Sequence, residues 1–246
     1  MLAQTNLQLY RQLIDAGWGP SDLALVREAY DLSRELFAGC FRPNHKAFIC
    51  HLTGTASALA SWGASAEQVA AGLLHSSYLY GDFGDGTWGL NGAKRKLLRA
   101  RMGSKVEGLV EEYTRTDHLV LQEVAEARET GQAVQNRDAA QIRLADLCDE
   151  CLDGGPCYSP DKPLAFGLPA RREGRDAVLH LAGALVGPVA VAQFQASFEL
   201  FDTLHLPADL HSPDLSFHAL KRKARGYPRG RLLGLVERVF KRLRGA

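Results

Sequence analysis

Apolar side chains recur at three- and four-residue intervals along almost the whole chain, and no stretch sustains an alternation of apolar and polar residues. That spacing lines the apolar residues of each segment along one side of an α-helix and leaves no material for a half-buried sheet. The pattern predicts an all-α fold. With 246 residues, 46% of them hydrophobic and 23% charged, the chain can bury a substantial core.

Local signals divide the pattern into helices. A first helix is expected over 5–16, and a second starts at a Ser21 cap and runs to Gly39. Residues 41–46 form a turn around Pro43 and Asn44, and a third helix follows over 47–62 and stops at Gly63. Ser65 with Gln68 makes a capping box for a fourth helix ending near Tyr80. Four glycines in residues 81–89, together with Asp82 and Asp85, then form a flexible loop of the kind that carries active-site residues. Further helices are predicted at 91–102, 104–116 (with Ser104 and Glu107 as a second capping box), 118–131, 137–152, 213–225 and 231–244.

Residues 153–172 contain four prolines and three glycines and mark a boundary. The predicted organisation is a helical domain over 1–155, a Pro/Gly-rich connection over 156–172 and a helical extension over 173–246. Residues 177–198 contain no Asp, Glu, Lys or Arg, long enough in principle to cross a bilayer. His180, Gln193, Gln195 and the break at Gly187-Pro188 favour two buried helices instead.

The net charge of +1 conceals an uneven distribution, because residues 218–246 carry ten Lys/Arg against one Glu. A basic tail on an acidic body suits docking and argues against a protein that binds nucleic acid throughout. Within it, the helix over 231–244 is basic and amphipathic, and either packs on the body or makes a peripheral contact, through residues 226–246, with an anionic membrane surface. The N-terminal residues lack a basic start followed by an apolar run, and five unevenly spaced cysteines do not suggest a disulfide framework. The expected location is the cytoplasm. Cys148 and Cys151 lie one helical turn apart without a second CxxC pair and are expected to be buried thiols.

Two neighbouring predicted helices carry one histidine each, His51 and His75, and a third supplies Asp146 among Ala139, Ala140, Ile142, Leu144, Ala145 and Leu147. A carboxylate on so apolar a helix has to be paired, hydrogen-bonded or bound to a metal. Arg143 is a possible partner; two imidazoles and a carboxylate would otherwise suit a divalent transition metal such as Mn, Fe or Zn. Glu150, four residues on, shares the face of Asp146.

Three motifs in order resemble those of the HD-domain superfamily, and within it the hydrolase domain of the RelA/SpoT-type (p)ppGpp enzymes. The motif HxGQxRxSGxPYIxHP is echoed by FAGCFRPNHKAFICH at 37–51, with Gly39, Arg42, Ile49 and His51 in register and Phe48 for Tyr. AALLHD is echoed by AGLLHS at 71–76, and KLADRLHN by RLADLCDE at 143–150. The chain is also similar to a group of bacterial HD-like proteins with HLxGTAS and AAGLLH motifs. The resemblance implies a helical bundle, His51, His75 and Asp146 as metal ligands, and Arg42 as a substrate-binding residue. The chain departs from the pattern at Ser76, which replaces the Asp of the HD pair, and at Leu79 and Tyr80, which replace an acidic pair. Glu150 stands for the substrate-side Asn and Phe37 for the first His.

Three functions are compatible with these residues. One is a metal-dependent hydrolase of a phosphorylated or nucleotide-like small molecule, with Arg42 and Lys46 holding the phosphate and Glu150, Asp82 or Asp85 accepting a proton. Another is a non-catalytic HD-like module that binds a ligand or partner. The third is a non-haem Fe(II) oxygenase using the two histidines and one carboxylate.

Overall fold

The computed structural model describes residues 2–42, 44–116, 136–154, 157, 172–211 and 218–219. The helices expected at 118–131 and 231–244, and the basic amphipathic segment 226–246, lie outside these residues.

Local capping accounts for several boundaries. Thr5 accepts from Gln8 N while the Gln8 side chain returns to the Thr5 backbone, opening helix α1 (Asn6–Asp15). Ser65 and Gln68 do the same for α4 (Ala66–Leu74). Helix α2 (Pro20–Leu36) starts ahead of the expected Ser21 cap, with Gly19 at the cap and Pro20 in the first turn. Proline suits that position because its fixed φ is helical and its missing N–H has no partner there anyway.

Strand β1 (Cys40–Phe41) and the turn after it lead into α3 (Phe48–Ser61). Arg42 N donates to Lys46 O, Lys46 N donates to Asn44 Oδ1, and His45 takes φ 64° to close the turn. The short α5 (Ser77–Tyr80) follows α4, and the expected single helix ending near Tyr80 is in fact broken at His75 and Ser76. Helix α6 (Gly92–Thr116) is bent at Gly103, whose φ of 82° separates the two helices expected at 91–102 and 104–116. Glu107 does not serve the expected capping box: its buried carboxylate accepts from Tyr78, Arg95 and Arg99. Helices α7 (Arg137–Leu152), α8 (Arg172–Leu185) and α9 (Pro188–Thr203) follow, and a 3-10 turn at Ala208–Leu210 completes the described helices.

Among the described residues the fold is all-α apart from β1 and β2 (His218–Ala219), which pair antiparallel with Cys40 opposite Ala219 and Phe41 opposite His218. Those two residues fall inside the helix expected over 213–225. The backbone of β1 offers hydrogen-bonding groups to a passing segment, and pairing with them prevails here over helical periodicity.

Helix α3 lies at the centre, packed most closely against α4 and α7, while α2 and α6 cover α4. Its Thr53, Thr55 and Ser57 are buried at no cost in unpaired hydroxyls. Thr53 donates to Ile49 O, Thr55 to His51 O and Ser57 to Gln12 Oε1. Small residues bring the partners close: a Cβ on Gly72 would lie 2.6 Å from Leu59 Cδ1. Helices α8 and α9 follow the uncharged run as two helices divided at Gly187 and Pro188, and Val178, Leu181, Phe194 and Phe198 join the same hydrophobic core as α3, α4 and α7. Among the described residues no helix is long and apolar enough to cross a membrane.

Candidate metal centre

Helix α3 contributes His51 from its first turn, the end of α4 contributes His75, and the middle of α7 contributes Asp146. All three are buried, and one ligand atom from each lies within 4.8 Å of the others. His51 Nε2 is 2.9 Å and His75 Nε2 3.6 Å from Asp146 Oδ1. The imidazoles meet edge to face with centroids 5.3 Å apart. Three residues separated by 24 and 71 positions in the chain therefore converge as expected.

The protons on the imidazoles follow from their other contacts. His75 Nδ1 is 2.7 Å from the carbonyl oxygen of Gly72, which only accepts, so Nδ1 carries the proton. His51 Nε2 is 3.0 Å from Arg42 Nη1, which only donates, so its proton is on Nδ1, 2.8 Å from Asp149 Oδ2. Both Nε2 atoms thus lie beside Asp146 Oδ1 without a proton, that of His51 accepting from Arg42. Among the described residues, the buried His75 Nε2 and Asp146 Oδ1 have no hydrogen-bond partner. Electron-pair donors gathered in a buried site are what a cation requires, and backing of each remote nitrogen by an acceptor is the usual arrangement for metal-bound histidine. Two imidazole nitrogens and a carboxylate oxygen fit a divalent transition metal. This group can hold a metal ion.

Asp146 has a second set of contacts through Oδ2, which accepts from Tyr113 Oη at 2.8 Å and from Arg143. The partner foreseen for a non-metal role is therefore present and serves the outer oxygen. Burial alone would push the Asp146 carboxyl up, but the Arg143 guanidinium beside it holds it well below the usual carboxylate range.

Around the ligands lies a second ring of charge. Asp149, buried, is also held below its ordinary value, the penalty of burial being outweighed by His51 and Lys46. Lys46 Nζ bridges Asp149 and Asp153, each at 2.8 Å. Asp153 sits above its ordinary range because burial and the charge of Asp149 outweigh Lys46. Arg42 pairs with Glu150. The expected anion-binding residues Arg42 and Lys46 and the expected base Glu150 thus lie around the cluster, joined to acidic or basic partners.

Asp82 and Asp85 are not brought into the cluster. Both are exposed and close the glycine-rich loop on itself: Asp82 accepts from Gly84 N, and Asp85 from Thr87 and Asn91. Buried Lys94 holds the loop by donating to the carbonyls of Thr87 and Gly89. Short polar side chains followed by glycine favour such local closure over long-range contacts.

Sequence reasoning missed Asp149 and Tyr113. Asp149 lies three residues after Asp146, a spacing that places it on the same side of the helix. Tyr113 gives no comparable signal, being one of the regularly spaced apolar positions of α6. Cys148 and Cys151 are buried as expected, and burial pushes the Cys148 thiol up to about 12.

Residues 32–118 match the model of a family described as a domain of unknown function, DUF6817. That span includes His51 and His75 and stops short of Asp146. No curated protein matches the chain.

Proposed function

We propose that the chain is a divergent HD-like protein that holds one divalent transition metal on His51, His75 and Asp146 and hydrolyses a phosphorylated or nucleotide-like small molecule. The observation that carries this reading is the convergence of His51, His75 and Asp146, all buried, with one ligand atom of each within 4.8 Å of the others. When bound, such a metal polarises a phosphoryl oxygen and lowers the pKa of a coordinated water.

The remaining chemistry belongs to this chain's own side chains. A guanidinium and an ammonium suit a phosphate, and Arg42 and Lys46 stand at the rim of the cluster. At rest both are neutralised, Arg42 by Glu150 and Lys46 by Asp149 and Asp153. A phosphate that draws Arg42 to itself releases the Glu150 carboxylate to accept a proton. The phosphate and the carboxylate compete for one guanidinium, so binding the substrate and freeing the base are the same event.

The same pairing favours a second reading, a non-catalytic module. A site whose cations and base are mutually neutralised, with Ser76 in place of the HD aspartate, also suits a protein that only binds a ligand.

The test is to measure metal content in protein purified without chelator, followed by turnover. Phosphate release from nucleotides with Mn(II), lost in Arg42→Ala and Glu150→Gln, supports the hydrolase. Metal bound in stoichiometric amount with no turnover supports the binding module. Oxygen consumption with Fe(II) moves the assignment to an iron oxygenase.

A further inference from the structure

We infer that Asp149 is a positioning residue for this centre, holding the His51 ring with its proton on Nδ1 so that Nε2 is presented to the metal; the inference rests on the metal-binding reading above. Asp149 Oδ2 lies 2.8 Å from His51 Nδ1, and both side chains are buried. On the other side of the ring Arg42 Nη1, a donor, lies 3.0 Å from Nε2, which agrees with the proton standing on Nδ1; a metal on Nε2 takes the place of that contact.

The carboxylate is itself held from several directions. Its Oδ1 accepts from Gln4 Nε2 at 3.0 Å and from Lys46 Nζ at 3.0 Å, while Oδ2 receives Lys46 Nζ at 2.8 Å. Gly54 supplies the space: a Cβ there would lie 1.7 Å from Asp149 Oδ1 and 2.9 Å from Gln4 Nε2. The glycine of the HLTGTAS stretch therefore admits a carboxylate from α7 against the backbone of α3.

Gln4 links the N-terminal segment to this arrangement. Ala3 N donates to Ser57 Oγ, and Ser57 in turn bonds Gln12, so residues 3 and 4 lie along α3. A carboxylate on the remote nitrogen of a ligating imidazole orients the ring and strengthens it as a donor, and removing such a group typically weakens metal binding about 10- to 100-fold.

The test uses the full chain and Zn(II) as the probe. Long-range nitrogen–proton NMR of the zinc-loaded wild type is expected to show His51 protonated at Nδ1 and coordinated through Nε2. Asp149→Asn, with its fold checked by circular dichroism, is expected to bind zinc about 10- to 100-fold more weakly in competition with a chromophoric chelator. If the wild type binds zinc but His51 coordinates through Nδ1, or if the folded Asp149→Asn protein binds as tightly as wild type, Asp149 does not position the ligand and the metal centre stands. If chelator-stripped wild type takes up no zinc, the centre itself is wrong and this inference falls with it. Should Asp149→Asn fail to fold, the wild-type ring assignment decides alone.

Discussion

Gly54 and Asp149 face each other across the α3–α7 contact so closely that a methyl group on the glycine would lie 1.7 Å from the carboxylate oxygen. Neither partner has room to withdraw, since Asp149 is hydrogen-bonded to His51, Lys46 and Gln4. Gly54→Ala is therefore expected to destabilise the fold by about 1–3 kcal/mol, the usual cost of overpacking. It should also weaken zinc binding by displacing Asp149. Denaturant melts with and without zinc check both effects.

Metal binding should appear as stability. A ligand that binds only the folded state adds about 2.7 kcal/mol when its free concentration is a hundredfold above its dissociation constant. Zinc or manganese is expected to raise the melting temperature of the wild type and a chelator to lower it. Neither should move the melting temperature of Asp146→Ala or His75→Ala, and a metal-induced rise in both variants would argue against these ligands.

Acid sensitivity should include a contribution from the Glu107 network. Burial by itself would raise the Glu107 carboxyl, but hydrogen bonds from Arg95, Arg99 and Tyr78 outweigh it and leave the group below its ordinary value. A carboxylate lowered on folding contributes stability that is fully present above its unfolded pKa, about 4.3. That contribution is lost as pH falls through the lower, folded value. Urea melts from pH 7 downward should therefore show a steeper loss below about pH 4.3 in wild type than in Glu107→Gln.

The thiols should separate by burial. Cys148 and Cys151 are buried with raised pKa values, whereas Cys40, Cys50 and Cys157 are partly exposed. In native protein at pH 8, DTNB is expected to modify no more than the three partly exposed thiols, and all five after denaturation. Fast labelling of all five in folded protein would contradict the packing of α7.

The sequence anticipated features set by short-range chemistry. Thr5 and Gln8, or Ser65 and Gln68, are three residues apart and satisfy backbone donors whatever surrounds them. The break at Gly103 and the division at Gly187-Pro188 are equally local. His51, His75 and Asp146 taken singly each suited a hydrogen-bonded core position; they were legible as a set through the order and spacing of the three motifs that carry them. Glu107 shows the limit: its spacing from Ser104 suited a cap, yet two arginines from the preceding half of α6 and Tyr78 claimed it. Asp149 shares the side of Asp146 by its spacing, but Gly54, Lys46 and Gln4, which separate it from a solvated acidic residue, come from distant parts of the chain. Asp82 and Asp85 were placed near the chemistry only by their position after His75, and adjacency in the chain does not make a contact in space.

The two imidazoles are oriented by different kinds of group. His75 leans on the main-chain carbonyl of Gly72, an oxygen present whatever residue occupies that position. His51 leans on a carboxylate that a single codon change can remove or neutralise. Natural variation can thus adjust the donor strength of one arm while the other stays fixed by the helix, so relatives that differ in metal preference should differ first around position 149.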